Sequence, residues 1–183
     1  MKLILVLLAG ALLAPAAPLH ADNKAQVRAT ELFGSRLIDK GGEALGEIGD
    51  LVFDARNGAL RSVVVDGVAL PVSRLLPEAG GRRYILTEPD DTRPTAFAEP
   101  RWPSMRASRL VSHEVVDRLH RDFGEIRDVL VDLDRRRVGG VIIDRRDDWQ
   151  AGQALVTVPV EALSLPRDLG DKVALNYSRE RLE

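Results

Sequence analysis

Two segments of the chain are nearly the same, and this repeat limits the possible folds more than any other feature. Residues 44–54, "ALGEIGDLVFD", are matched 78 positions later by residues 122–132, "DFGEIRDVLVD". The match extends without a gap, so that residues 28–66 align with residues 106–144. Most core-type positions exchange one apolar residue for another. Two copies of one pattern predict two similar structural units.

The repeat and the composition divide the chain into four parts. Residues 22–87 hold the first copy, and residues 105–183 hold the second copy. Residues 88–104, which are rich in proline and charge, are typical of a linker or of a connection that runs over the surface. Residues 1–21 have the order of a secretory signal peptide, namely a lysine, an apolar run and a small-residue region broken by prolines.

We expect cleavage of this leader after Ala21, because its apolar run is too short to span a bilayer. The mature protein is then predicted to be periplasmic and to have no membrane span. The chain has no cysteine, so its stability would depend on its core rather than on disulfides. Its 26 Lys and Arg against 28 Asp and Glu give a net charge of −2, which argues against a nucleic-acid-binding face.

Each copy predicts short β-strands. In the first copy, two β-rich runs flank Asn57-Gly58, a pair that favours a tight hairpin. The second copy has "LDRRR" at residues 133–137, so we expect its hairpin to be looser. One helical turn is expected in each of the segments 73–76 and 160–163, which follow prolines. Many short strands separated by glycine and proline favour small antiparallel β-barrels, and units of this size are expected to pack against each other.

The first copy resembles the PRC-barrel domain. The resemblance rests on Phe33-Gly34, on "LGEIGDLVFD" with the hairpin into "SVVVD", and on the short run "ALPVSRL". The second copy resembles the domain less closely, because Ser112-His113 stands where the first copy has Gly34 and Ser35. The resemblance implies an all-β fold of two PRC-barrel-like antiparallel barrels in tandem. It also implies a docking or assembly module, as in the photosynthetic reaction-centre H subunit and a ribosome maturation factor.

The repeated polar and glycine positions have two interpretations. Aspartates at hairpin ends commonly accept hydrogen bonds from nearby backbone amides, whereas paired carboxylates can serve as acid and base in glycoside hydrolysis. Side-chain alternation places both aspartates of each pair on one face of a strand. We favour the structural role for the positions Gly46, Asp50, Asp54, Asn57, Gly58, Gly124, Asp128 and Asp132.

No catalytic residue, metal site or cofactor is expected. The two histidines of the predicted mature chain, His113 and His120, lie in non-equivalent surroundings and are interpreted as turn residues. No phosphate-binding or dinucleotide-binding glycine pattern occurs.

The second copy carries a ten-residue insertion, residues 145–154, where the first copy has only Gly67. Its mixture of charges and a tryptophan is typical of binding surfaces. The alternative is that the tryptophan fills an apolar gap in the barrel. The candidate binding residues are Arg145, Arg146, Asp147, Asp148 and Trp149.

Together these features favour a non-catalytic periplasmic binding or scaffold protein that docks a protein partner or a small ligand. An accessory subunit of a photosynthetic or respiratory envelope assembly is the alternative that the resemblance suggests. A hydrolase that uses the repeated carboxylates is a third hypothesis.

Overall fold

The computed structural model describes residues 26–72, 74–78, 82–87, 95–145, 154–167 and 170–177. These residues form mainly β-strands, with two four-residue α-helices and one short 3₁₀ helix, so the predicted all-β class is confirmed. The elements up to residue 96 are β1 (Gln26–Arg28), α1 (Ala29–Leu32), β2 (Arg36–Ile38), β3 (Ala44–Asp54), β4 (Leu60–Val65), β5 (Val68–Pro71), β6 (Arg74–Pro77), β7 (Arg83–Thr87) and β8 (Thr95–Ala96). The later elements are β9 (Ser104–Arg106), α2 (Ala107–Leu110), β10 (Glu114–Val116), β11 (Asp122–Asp132), β12 (Arg137–Arg145), β13 (Ala154–Pro159), the 3₁₀ helix (Val160–Ala162), β14 (Leu163–Ser164) and β15 (Val173–Leu175).

The strands form two curled sheets, each of which is a half-barrel. The first sheet has the order β6-β7-β2-β3-β4-β5-β8, and the second has the order β13-β12-β11-β10-β15-β14. Nearly every strand of one sheet has a counterpart in the other, including the parallel pairs β2 with β7 and β10 with β15. Among the described residues, β8 is the strand that has no counterpart in the second sheet.

The first strand of each copy joins the sheet of the other copy. Strand β1 pairs with β11, with Gln26 opposite Asp132, and β9 pairs with β3, with Ser104 opposite Asp54. Adding 78 to Gln26 gives Ser104, and subtracting 78 from Asp132 gives Asp54, so each pairing becomes the other when the copies are exchanged. The two copies are therefore interlocked rather than placed side by side as closed units.

The two hairpin loops meet at an approximate two-fold axis. Ala59 forms a bridge with Arg137, and these are equivalent positions of the repeat. The amide of Leu60 donates to the carbonyl of Arg136 at 2.9 Å, and the amide of Val138 donates to the carbonyl of Gly58 at 2.8 Å. Each of these bonds becomes the other when the copies are exchanged, so the axis passes through the bridge.

Both sheets contribute to one continuous hydrophobic core. Leu51 and Phe53 of β3 and Val129 and Val131 of β11 are fully buried, because alternate residues of each long strand point inward. Phe53 and Phe123 are the largest fully buried side chains. The core thus packs side chains of the two copies against each other, which adds apolar burial that one small unit alone would lack.

The hairpin loops differ from the prediction. Strand β3 ends at Asp54 and β4 begins at Leu60, so the first connection is longer than a two-residue turn. Gly58 has φ +73°, and a Cβ there would lie 2.5 Å from the Val138 carbonyl of the other copy. Arg136 takes the equivalent position with φ +53°. The expected looser second hairpin is therefore wrong, because Arg136 adopts the left-handed conformation that glycine provides in the first copy.

One of the two expected helical turns is present. Residues 160–162 form the 3₁₀ helix, whereas residues 74–77 form β6, which is held by pairing with β7. Within the described ranges, no helix has the length and hydropathy needed to cross a bilayer.

Candidate functional site

The first of the repeated carboxylates binds an element of the other copy. Asp50 is fully buried in β3. It accepts hydrogen bonds from its neighbour's amide, Leu51 N, at 2.8 Å, and from Ser108 N of α2 at 3.1 Å, and it also accepts from the Ser108 hydroxyl. The Arg106 guanidinium donates through Nε at 2.6 Å. We call this arrangement the Asp50 cap, because a carboxylate satisfies the first turn of a helix that has no side-chain cap of its own.

The same arrangement recurs in reverse at Asp128, which is buried in β11. It accepts hydrogen bonds from Val129 N at 2.8 Å, from Thr30 N of α1 at 3.3 Å and from the Thr30 hydroxyl. We call this the Asp128 cap. It has threonine in place of Ser108, and it has no bound arginine, since Arg28 is half-exposed and its Nε lies 4.0 Å from Glu31 Oε1, whereas its counterpart Arg106 binds Asp50. The two caps hold each copy's helix to the long strand of the other.

The second aspartate of each pair shapes the hairpin loop. Asp54 is 1% exposed and accepts hydrogen bonds from Arg56 N at 3.0 Å, Arg56 Nη2 at 2.7 Å and Arg61 Nη2 at 2.8 Å. The Arg56 and Arg61 guanidinium groups hold the pKa of Asp54 well below its usual range. In the second copy, Asp132 accepts from Arg135 N at 2.8 Å and from Arg135 Nη1 at 3.2 Å.

Other repeat positions have plain structural roles. The Asn57 side chain accepts a hydrogen bond from Ala59 N at 2.9 Å, which holds the first loop. A Cβ at Gly46 would lie 2.5 Å from Val65 Cγ1, and one at Gly124 would lie 2.2 Å from the Asp144 carbonyl. Glycine at both positions allows the neighbouring strand to pass closely.

Of the predicted binding residues in the insertion, only Arg145 lies among the described residues. Its guanidinium carbon lies 5.5 Å from the centre of the Phe123 ring, a cation–π contact at the end of β12. The predicted binding residues Arg146, Asp147, Asp148 and Trp149 lie outside the described residues.

A segment within the predicted linker binds the first sheet. Residues 95–99, which we call the docked segment, begin with β8, where Ala96 pairs with Val68 of β5. Phe97 N donates to the Gly67 carbonyl at 2.8 Å, and the Phe97 ring centre lies 5.3 Å from the Arg106 guanidinium carbon. Glu99 forms ion pairs with Arg106 at 3.2 Å and with Arg109 at 3.4 Å. An aromatic ring and a carboxylate thus anchor an added strand.

The equivalent region of the second sheet is a cavity of about 320 Å³. Its six lining residues come from β1, β11, β12 and β13. We call it the second-copy cavity, and its lining residues are Arg28, Arg127, Asp128, Ile142, Asp144 and Leu155. Arg28 and Leu155 correspond to Arg106 and Gly67, two of the residues that the docked segment contacts in the first copy. The cavity therefore lies where a docked segment would be expected from the repeat.

Among the described residues, neither histidine belongs to a group of three or more potential metal ligands. His113 is half-buried and His120 is exposed with φ +60°. Within the described part of the chain, no three His, Cys, Asp or Glu side chains are placed to hold a metal ion together.

The sequence did not identify four residues that take part in these contacts, namely Thr30 and Ser108 of the caps and Phe97 and Glu99 of the docked segment. The internal alignment did contain one signal, because Thr30 and Ser108 place a hydroxyl at the same repeat position, next to the identical pair Arg28 and Arg106. The partner of these hydroxyls lies in the other copy and was not visible in the alignment.

Comparisons with known proteins support the resemblance of the first copy. No curated protein matches the chain. Among protein families, the PRC-barrel domain matches residues 24–93, which include β1 to β7 and both partners of the β3–β4 hairpin. Residues 24–93 of this chain therefore form a PRC-barrel domain.

Proposed function

We propose that the chain is a non-catalytic periplasmic binding or scaffold protein that docks a partner through two PRC-barrel-like domains in tandem, residues 22–87 and 105–183. The observation that supports docking is the docked segment. A strand from outside the PRC-barrel domain adds to the edge of β5, and two anchoring side chains fix it on Arg106. Addition of an extended segment to a sheet edge is a common mode of protein recognition.

The contacts of the repeated carboxylates support a structural role over hydrolysis. Asp50 and Asp128 are buried, and each of them accepts hydrogen bonds from the other copy. Asp54 is engaged by two arginines. A general acid in glycoside hydrolysis needs a raised pKa, whereas the arginines lower the pKa of Asp54.

Affinity capture tests this function. Tagged mature protein, incubated with periplasmic extract of the source cells, is expected to enrich a partner, identified by mass spectrometry, that the tag alone does not enrich. Trp149→Ala tests the insertion, and Trp102→Ala is the matched control, since Trp102 is a 37% exposed tryptophan far from the insertion in sequence. If the insertion docks the partner, capture is lost with Trp149→Ala while the melting temperature stays nearly unchanged.

Two results would count against these assignments. A large fall in melting temperature for Trp149→Ala, with capture retained, would place the ring in the core. Absence of any partner above the tag control, for the wild-type protein in extracts prepared under several growth conditions, would contradict the docking function itself.

A further inference from the structure

We propose that the second-copy cavity binds an extended segment of a partner protein, which adds as a strand to β13 and places an aromatic side chain over Arg28. This inference rests on the proposed docking function and adds the site and the chemistry of the partner.

The first argument is the correspondence between the two sheets. In the first sheet β8 pairs with the outer edge of β5, whereas β13, the counterpart of β5, is the last strand of its sheet among the described residues. In the first copy the amide of Phe97 donates to the Gly67 carbonyl. The equivalent acceptor is the carbonyl of Leu155. Gly67 is a turn residue with φ +77°, whereas Leu155 lies within β13, so the edge of β13 offers a partner strand the aligned acceptor in an extended strand.

The second argument is the chemistry of the cavity walls. Leu155 is 57% exposed, an uncommon state for a large apolar side chain, and its counterpart is Gly67. Ile142 is buried in the cavity wall, and the Arg28 side chain is 52% exposed. A flat aromatic ring between a guanidinium group and a leucine would gain both a cation–π contact and apolar burial. Phe97 makes the corresponding contact with Arg106 in the first copy.

The third argument identifies the occupant as another protein rather than this chain's own docked segment. In the first copy, Glu99 of that segment pairs with Arg106 and Arg109. The counterpart of Arg109 is Glu31, which is 62% exposed. A carboxylate at the position of Glu99 would keep an arginine, Arg28, in the place of Arg106 but would meet a like charge, Glu31, in the place of Arg109. A partner with an aromatic residue and a neutral residue two positions later fits the cavity better than a second copy of this chain.

The test uses the mature chain and a labelled peptide probe. The probe has the sequence of residues 94–100 with glutamine in place of Glu99, and its binding is measured by fluorescence anisotropy. The matched control peptide also has alanine in place of Phe97. We expect the control peptide to bind at least about tenfold more weakly, which corresponds to the loss of one well-placed anchor.

Protein variants locate the site. Arg28→Ala and Leu155→Ser are each expected to weaken the probe by about tenfold, while Arg36→Ala, an exposed arginine on β2, leaves binding unchanged. Both cavity side chains are half-exposed or more, so these variants should fold. Backbone amide shifts in nuclear magnetic resonance spectra are expected in β13 and not in β5.

Five results would overturn the inference. Binding that is unaffected by both cavity variants, or amide shifts in β5, would show that the probe binds elsewhere or displaces the docked segment. Binding that occurs only after residues 146–153 are replaced by one glycine would show that the insertion fills the cavity. Concentration-dependent self-association that is abolished by Leu155→Ser would identify a second copy as the occupant. Capture of the same partners by wild-type and Leu155→Ser protein would leave the docking function standing while refuting this site.

Discussion

At the scale of single residues, Asp50 and Asp128 provide what the short helices lack. The first amides of any helix have no partner within the helix, and neither α1 nor α2 has a side-chain cap from its preceding arginine. The carboxylate of the opposite long strand accepts the amide of the second helical residue in both cases. A contact within each helix is thereby replaced by a contact between the copies.

Removing these carboxylates should destabilise the protein unequally. Asp50→Ala leaves Arg106 and Ser108 without their acceptor and should lower the free energy of unfolding by about 3 kcal/mol. This value is near the lower end of the range for a broken buried ion pair, because Arg106 is partly exposed. Asp128→Ala loses a cap without a bound arginine and should cost about 1–2 kcal/mol. Urea titration measures both values.

The exposed Asp134 provides the matched control for these variants, and Asp134→Ala should change the free energy of unfolding by less than about 0.5 kcal/mol. Equal effects of Asp50→Ala and Asp134→Ala would contradict the role of the Asp50 cap.

Stability should fall in acid because two aspartates have lowered pKa values in the folded state. Arg56 and Arg61 lower the pKa of Asp54, and Arg121 lowers the pKa of Asp117. The unfolded chain binds protons at these carboxyls near their usual pKa of about 4, so the stabilisation is present above that pH and is lost as the pH falls toward the folded value. Urea titrations between about pH 6 and about pH 2 should show this fall.

Asp54→Asn should lower stability at neutral pH and should make its decrease in acid shallower. Asp134→Asn should leave the pH dependence unchanged. A wild-type free energy of unfolding that stays constant from about pH 6 to about pH 2 would refute the assignment.

The sequence predicted that the aspartates matter to the fold, but it did not identify their partners. The recurrence of the aspartates at an offset of 78 can be read from the sequence, and the loop contacts of Asp54 are with residues close to it in the chain. The residues in the caps are separated by 58 positions for Asp50 and 98 for Asp128. No periodicity within either segment encodes a contact over such a distance, so the caps became visible only in three dimensions.

At the scale of elements, the exchanged strands are the unexpected feature. Strands β1 and β9 have three residues each, and the long strands β3 and β11 share one pattern. A three-residue strand therefore carries no information about which of two nearly equivalent edges it joins. Length, turn residues and β-branched runs predicted that strands exist, whereas the choice of partner depends on the packing of α1 and α2 against the opposite copy.

The exchange predicts that the two copies fold together. A fragment of residues 22–100 lacks β9 and α2, so Asp50 would be buried without its partners, and the fragment of residues 101–183 has the corresponding defect at Asp128. We expect neither fragment alone to unfold cooperatively. When both are coexpressed with a tag on one, we expect them to copurify and to melt in a single transition.

A variant pair of fragments tests the Asp50 cap in the same experiment. With Ser108→Ala and Arg106→Ala in the second fragment, the two fragments should copurify in lower yield. A monomeric fragment 22–100 with a cooperative thermal transition would show that the first copy is complete without the exchange.

At the scale of the whole molecule, the fold class followed from the sequence, while the candidate site followed only in part. Short β-rich runs separated by glycine and proline predicted an all-β fold, which the structure has. The insertion of residues 145–154 directed attention to the end of the second sheet, and Leu155 of the cavity follows it directly. The cavity itself is recognised by comparing it with the docked segment, a comparison that requires the coordinates of both sheets.

The export proposal has a direct test. The mature protein is expected to begin at Asp22 and to appear in the soluble periplasmic fraction, because the apolar run of residues 1–21 is short and is broken by prolines. Intact-mass measurement of the purified protein identifies its first residue, and cell fractionation with marker enzymes identifies its compartment. Recovery in washed membranes with Met1 still present would exclude it.

The bridge between Ala59 and Arg137 has a consequence for how this sequence can vary. In a homodimer, a residue on the two-fold axis meets its own copy, so every substitution there occurs twice at the same contact. Two arginines facing each other would repel, since like charges at directly opposite strand positions are destabilising. Here the axis lies inside one chain, where Ala59 and Arg137 face each other as unlike residues. The covalent joining of the copies thus allows each side of the axis to change by itself, which a symmetric pair of separate chains would not permit.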